Sequence, residues 1–521
     1  MEPADIGFRP TIGTAIRRAA TEFGDVDYVV SLDDRMTYAQ AEAASAALAR
    51  RMLGQGVGKG TRVGLFYANG TDWVVAWLAA SRIGAVVLPL STFYAPGELR
   101  KVLRLGDVDV LLAPARVLKI DVPSFLEQAL PGLASHDGPG LRLPDAPYLR
   151  RIWLDGADDA PAWAVAHDLR GEPTEADADA GLLEAVEAEV FPSDAALIIH
   201  TSGTTADPKG VVHSHGAVMR QTAIIPSTMA AMAPEGLAPK YLCAMPFFWI
   251  GGVLGAAGTL HGPVTLLVMD RLDAGGALEL LERERGTAVA GWPTFTQRLR
   301  LHPDFGTRDL SSAPSLLDGP ADLALQGTTD NVPRHRSMTE TAGSFLTTDI
   351  TVVDEDGAAV PTGLEGELWV RGPGFMLGYN KREAWEVLDD DGWLHTGDRV
   401  FRREGDPSVY FAGRFTELIK TSGANVSPKE VEAVIDEHPD VNHCFVVGLG
   451  DPEVGQEVVA AVVPRNPETF DPEVVTRHLR SEISPYKIPK RWIVVEELPL
   501  LPTTKPDKRE LLRRIESGEI G

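Results

Sequence analysis

The chain has 521 residues, long enough for more than one domain and for a sizeable core. Its 74 Asp and Glu outweigh 49 Lys and Arg, and the resulting net charge of −25 opposes nucleic acid and anionic membrane surfaces as partners. An anionic substrate would need a locally basic site. Two cysteines, Cys243 and Cys444, stand far apart without metal-ligand spacing, so neither a disulfide framework nor a zinc site is expected.

The first residues, Met1-Glu2-Pro3-Ala4-Asp5, lack the basic region and apolar core of a signal peptide, and a cytoplasmic protein is expected. From Thr37 to Leu53 small apolar residues recur at helical spacing, Gly54 to Gly60 breaks the pattern, and Arg62 to Phe66 reads as a strand. The longest apolar stretch, Val74 to Leu90, is interrupted by Ser81, Arg82 and Gly84. It predicts a buried helix followed by a strand rather than an integral membrane segment. Alternation of this kind continues to residue 300 and predicts a large α/β layer architecture. Two stretches rich in Asp, Gly, Pro and Ala, Ala134 to Pro147 and Asp155 to Glu175, read as surface loop.

Ala195 to Ile199 reads as a buried strand, and Thr201-Ser202-Gly203-Thr204-Thr205-Ala206-Asp207-Pro208-Lys209-Gly210 follows it. Hydroxyls, glycines that let backbone amides converge on an anion, and one lysine share this loop, which suits phosphate. The spacing is not that of the nucleotide-binding P-loop, and a polar linker is the plain alternative. Thr201, Ser202, Gly203, Thr204, Thr205 and Lys209 are the candidate phosphate ligands. His213 and His215 lack a nearby carboxylate or cysteine and are assigned no metal. Further on, Pro246-Phe247-Phe248-Trp249-Ile250-Gly251-Gly252 and Gly291-Trp292 are apolar aromatic segments. Phe248, Trp249, Gly251 and Trp292 suit either the wall of a hydrophobic pocket or ordinary core.

The last hundred or so residues read as a separate small α/β unit. Ser427-Pro428-Lys429-Glu430 predicts a helix opened by a capping box, with Val431, Val434 and Ile435 on its apolar face. Strands are expected at Cys444 to Val447, Val458 to Val463 and Trp492 to Val495, with a helix from Pro472 to Ile483.

Four further segments, Met338-Thr339-Glu340-Thr341, His395-Thr396-Gly397-Asp398, Gly413-Arg414 with Ile419-Lys420, and Pro502 to Arg509, follow the Thr201 loop in order. Together they resemble the adenylate-forming superfamily of acyl-CoA synthetases, adenylation domains and luciferases, over about Thr37 to Leu511. The resemblance implies a large N-terminal α/β domain with layered sheets, residues 1–413, and a small mobile C-terminal α/β domain, residues 414–521, pivoting near Thr416.

It also implies a two-step reaction in which a carboxylate attacks Mg·ATP to give an acyl-adenylate and coenzyme A then displaces AMP. Lys505 matches the family's catalytic lysine, with Lys508 as the alternative; Thr339 would touch the AMP phosphate and Glu340 would hold Mg2+. Asp398 and Arg414 would contact the ribose, and Arg336 stands where an aromatic ring stacks on adenine. Ile419-Lys420-Thr421-Ser422-Gly423-Ala424-Asn425-Val426 looks like the hairpin of acyl-CoA synthetases, which implies a thiol-transfer role for Lys420 and Gly423; a surface hairpin leading into a capped helix is the plain alternative. The expected substrate is a small-molecule hydrophobic acid, whether fatty, aromatic or alicyclic. Transfer to an amine or a carrier protein, or a non-catalytic nucleotide-binding relative, are the rival readings, and a homodimer is left open.

Overall fold

The computed structural model describes residues 6–157, 159–174, 177–201, 208–291, 293–318, 349–402, 404, 409–414, 418–499 and 507–520, by backbone alone at 293, 294, 318, 411–414 and 509. Two sheets organise the N-terminal part. The larger runs Gly378–Tyr379, Lys209–Ser214, Ala195–Thr201, Val86–Pro89, Arg62–Leu65, Val110–Pro114, Arg151–Asp155, Val165–His167. Its strands are parallel from Ala195–Thr201 onward, while Lys209–Ser214 pairs antiparallel to Ala195–Thr201. The smaller sheet runs Ala288–Ala290, Lys240–Cys243, Thr265–Leu267, Asp27–Val30, Arg35–Thr37, and only the last pairing is antiparallel.

Helices fill the space between the two sheets. Ile12, Ile16, Leu48, Trp73 and Trp77 pack there against Val63 and Val87 of one sheet and Val29 and Leu266 of the other. The Thr71–Arg82 helix buries every residue except Asp72, as a helix apolar on all sides must. Its buried Arg82 is neutralised by Glu42 at 2.7 Å and by Glu187, so the charge does not stand unpaired in the core. Outer helices cover the far faces: Leu99, Val102 and Leu126 on the larger sheet, Leu278, Leu281 and Leu299 on the smaller. The result is the layered α/β architecture expected from the alternating pattern.

Local readings hold where the chemistry is local. The helix expected from Thr37 is Tyr38–Gly54, with Thr37 Oγ1 accepting from the Gln40 amide at 3.2 Å and Gln40 Oε1 accepting from the Thr37 amide at 2.9 Å. Val74 to Leu90 splits into that buried helix and the strand Val86–Pro89. The expected loop from Asp155 to Glu175 is a correction: Val165–His167 adds a parallel edge strand, and Trp163 is buried with its Nε1–H donating to Glu127 Oε1 at 3.0 Å. A three-residue edge strand supplied by tertiary pairing leaves no periodicity to read.

An antiparallel sheet of Asp349–Val353, Gly366–Arg371, Leu394–Arg402 and Val409–Arg414 follows. The C-terminal unit centres on the long hairpin Val441–Asp451 with Gly455–Pro464, joined by Arg491–Val494 and the short hairpin Ile419–Thr421 with Ala424–Val426. Helices Pro428–Asp436 and Pro472–Glu482 cover one face and Lys508–Glu516 the other. The capping box expected at Ser427 is a second correction. Ser427 makes no side-chain cap, and Glu430 instead turns to Lys487, whose buried ammonium is the stronger partner for a carboxylate.

Candidate functional site

The candidate phosphate segment lies between two antiparallel strands, Ala195–Thr201 and Lys209–Ser214. Thr201 ends one strand, Lys209 begins the next, and the two are register partners. Lys209 Nζ lies 5.2 Å from the centre of the Tyr379 ring on the adjoining strand. Ser202, Gly203, Thr204 and Thr205 lie outside the described residues, as do Trp292, Arg336, Thr339, Glu340, Thr416 and Lys505.

A cavity of about 460 Å³ opens beside Thr201, and Phe248, Trp249, Gly251 and Gly423 share its wall. Trp249 is the residue before the Ile250–Gly258 helix, so its ring leaves the backbone where the chain turns from the Lys240–Cys243 strand. Phe248, 6% exposed, meets Trp249 edge-on at 5.4 Å between ring centres, and Phe93 meets both rings. The pair is therefore cavity wall and packed aromatic cluster together. Both readings of those residues apply.

Gly423 reaches this cavity through a two-residue turn. Ser422 and Gly423 have φ of +50° and +83°, and Thr421 pairs with Ala424, so both central residues occupy the left-handed region that a tight hairpin of this hand requires. Gly423→Val should lower stability by about 1–2 kcal/mol through that left-handed position alone, measured as a shift in the urea unfolding midpoint. Lys420, on the strand before it, is exposed, with its amide donating to Gln456 Oε1 at 2.8 Å; it is outside the cavity wall.

Asp398 and Arg414 are brought opposite each other as cross-strand partners in the antiparallel sheet, sixteen residues apart in sequence. The Asp398 amide donates to Thr396 Oγ1 at 3.0 Å, and Thr396 Oγ1 donates to the Leu368 carbonyl at 2.7 Å, which fixes the bulged stretch of strand carrying Asp398. Neither Asp398 nor Lys209 lines the cavity. Lys508, the alternative catalytic lysine, is committed elsewhere: its Nζ donates to Glu432 Oε1 at 2.5 Å and to the Val446 carbonyl at 3.1 Å.

His200, Tyr94 and Tyr486 are among the wall residues that the sequence did not single out. His200 precedes Thr201, is buried, and its imidazole is pushed down to about 4 by burial and then by the nearby Arg62 and Lys381 charges. It is neutral at pH 7. Burial likewise raises the Tyr94 phenol and pushes the Tyr486 phenol up to about 12, so both remain neutral donors. His200 adjoins the loop and could have been noted; the tyrosines join the site only through long-range packing.

Among the described residues no group of three or more His, Cys, Asp or Glu is placed to hold a metal ion, and no helix is long and apolar enough to cross a membrane. Cys243 and Cys444 are both free and buried. His215, assigned no metal above, is buried, with Nδ1 accepting from the Ile12 amide at 3.4 Å.

The family of AMP-binding enzymes matches residues 16–323, and its C-terminal domain matches residues 430–505. A feruloyl-CoA synthase from an Amycolatopsis species is 30% identical, with 92% of this chain and 94% of that protein covered. A 4-coumarate–CoA ligase from Humulus lupulus is 27% identical over 92% of this chain and 88% of its own. The structure of the amide bond synthetase McbA from Marinactinospora thermotolerans superposes with a TM-score of 0.74 at 25% identity, covering 96% of this chain and 99% of that one. Matched by both family domains and by these relatives over most of its length, the chain belongs to the AMP-binding, adenylate-forming enzymes and to their acyl-CoA synthetase branch.

Proposed function

We propose that the protein is an ATP-dependent ligase that joins a hydrophobic carboxylic acid to coenzyme A through an acyl-adenylate. One observation carries this reading: Thr201 at the phosphate hairpin, the Phe248–Trp249 aromatic wall and the Gly423 turn face a single cavity. An acid held against the aromatic rings would present its carboxylate toward the phosphate strand, and a thiol passing the side-chain-free Gly423 would meet the same carbonyl. The Thr201–Lys209 hairpin would hold the departing pyrophosphate. Thr339 and Arg336 would contact the nucleotide, Glu340 its magnesium, and Asp398 and Arg414 the ribose.

In this reading residues 1–413 and 414–521 are two domains that pivot near Thr416 between the half-reactions. Lys505 would serve the first step. Gly423 and Lys420 would serve the second, consistent with the likeness to a feruloyl-CoA synthase and a 4-coumarate–CoA ligase. The direct test supplies ATP, magnesium and coenzyme A with a panel of fatty, aromatic and alicyclic acids and measures AMP and acyl-CoA together. Absence of turnover with every class would overturn the reading.

A second reading, transfer of the acyl group to an amine, is favoured by the likeness to an amide bond synthetase. Replacing coenzyme A with amines and identifying the product separates the two. Gly423→Val provides a further check. Thiol transfer from supplied acyl-adenylate should slow at least about tenfold through obstruction of the cavity wall, while pyrophosphate release stays within about twofold.

A further inference from the structure

We infer that Glu98, with Gly97 beside it, is the positioning element that holds the C-terminal unit against the N-terminal body in the orientation that places Gly423 in the cavity wall. The inference rests on the ligase reading for its kinetic consequence and on geometry alone for the orientation itself. Glu98 lies in the first turn of the Pro96–Leu105 helix, and its side chain is 6% exposed. Its Oε1 accepts from Lys487 Nζ at 2.6 Å, and its Oε2 accepts from Ser484 Oγ and from the Ala95 amide at 3.1 Å. Lys487 Nζ also donates to Glu430 Oε1 at 2.7 Å, with the two side chains 5% and 7% exposed.

Lys487, Ser484 and Glu430 all belong to the C-terminal unit, so their mutual contacts survive any reorientation of that unit. Glu98 reaches them from the other body, and nearby Arg100 pairs with Glu482 at 3.8 Å across the same seam. A buried ion pair of this kind returns little net stability, because separation lets water solvate the charges; its use lies in selecting one arrangement. Burial raises the Glu430 carboxyl, which then leans on the Lys487 ammonium, and the second carboxylate of Glu98 completes a buried cluster that forms only when the bodies meet here. Phe93 and Tyr486 meet across the same seam, 6.3 Å between ring centres.

Gly97 is the steric half of the device. A Cβ there would lie 2.5 Å from Glu482 Oε2, 2.9 Å from the Ser481 carbonyl oxygen and 3.1 Å from Glu482 Cα, so backbone of the C-terminal unit occupies the space a side chain needs. Alanine is the better helix former, so Gly97→Ala should leave the N-terminal body intact while forcing the two bodies apart.

Spin labels at Tyr148→Cys, 55% exposed in the parent residue, and at Glu468→Cys, exposed on the C-terminal unit, report the distance between the bodies, since both natural cysteines are buried. Pulsed electron paramagnetic resonance should find the distance of this arrangement in the parent. Both Glu98→Ala and Gly97→Ala should reduce that population at least about threefold, with melting temperatures close to the parent's. Unchanged distributions in both variants, or no such population in the parent, would overturn the inference. In kinetics, thiol transfer from supplied acyl-adenylate should slow at least about tenfold with pyrophosphate release within about twofold, and an equal loss in both half-reactions would also overturn it. Should no acid be activated by the parent, the ligase reading falls and the distance measurement still decides the positioning role.

Discussion

Lys505→Ala is expected to reduce acid-dependent pyrophosphate release by about 10²–10³-fold while leaving thiol transfer from supplied acyl-adenylate within a few-fold of the parent. In adenylation a carboxylate approaches an already anionic phosphate, so negative charge gathers between two oxygens. A cation aimed at both stabilises the transition state more than the separated anions, and its removal should therefore appear in kcat rather than in acid affinity. Lys505 lies outside the described residues, and its assignment comes from the family's C-terminal pattern. The structure adds a control from the alternative. Lys508 is held by Glu432 and the Val446 carbonyl, so Lys508→Ala should lower stability and act on both half-reactions alike. A Lys505→Ala loss smaller than about threefold, or one shared equally by the second half-reaction, would remove Lys505 from the catalytic role.

Mild acid should unfold the protein unusually early for a chain with so many carboxylates. Burial holds His200 and His215 down at about 4, and His167, His213 and His261 are lowered similarly, against about 6.5 in an unfolded chain. Below pH 6.5 the unfolded state binds protons that the folded state refuses, so stability falls as pH falls through the window from 6.5 to 4. Each such imidazole contributes a slope of up to about 1.4 kcal/mol per pH unit, and His200 and His215 alone would each lose about 3 kcal/mol across the window. The raised carboxyls of Asp155, Glu187 and Glu430 act with the opposite sign at the acidic end, because the folded state binds those protons first. The imidazole effect is therefore cleanest between pH 6.5 and 5.5. Urea midpoints measured from pH 7.5 to 5.5 should be level above 6.5 and fall below it; a level profile throughout would show that these rings protonate without penalty.

The legible parts of the chain are those in which a few adjacent residues decide the outcome. Thr37 to Leu53 states a helix, Val74 to Leu90 states a buried helix and strand, and Gly423 inside its hairpin segment states a turn. Where an equally local pattern competes with a distant partner, the distant partner wins. Ser427-Pro428-Lys429-Glu430 reads as a capping box, yet Glu430 leaves the helix end because the buried Lys487 ammonium, far along the chain, binds it more strongly than an amide does. Val165–His167 is strand only because Arg151–Asp155 offers it an open parallel edge.

The candidate site divides in the same way. Phosphate loop, aromatic segment and glycine hairpin could each be found in the sequence, since each owes its chemistry to residue types at fixed short spacing. That Phe248, Trp249 and Gly423 share one cavity with Thr201 could not, because it depends on which face of the C-terminal unit meets the N-terminal body. Glu98 is the sharpest instance: in sequence it is an acidic residue in the first turn of a helix, a common and unremarked position. By itself, then, the sequence determined the ordered motifs on which the resemblance to the family rests and, through its hydrophobic period, the layered α/β class. Only the tertiary structure decided which carboxylates are spent on buried lysines and which surface the hairpin faces, because desolvated charge pairs and interbody contacts are set by packing between residues tens to hundreds of positions apart.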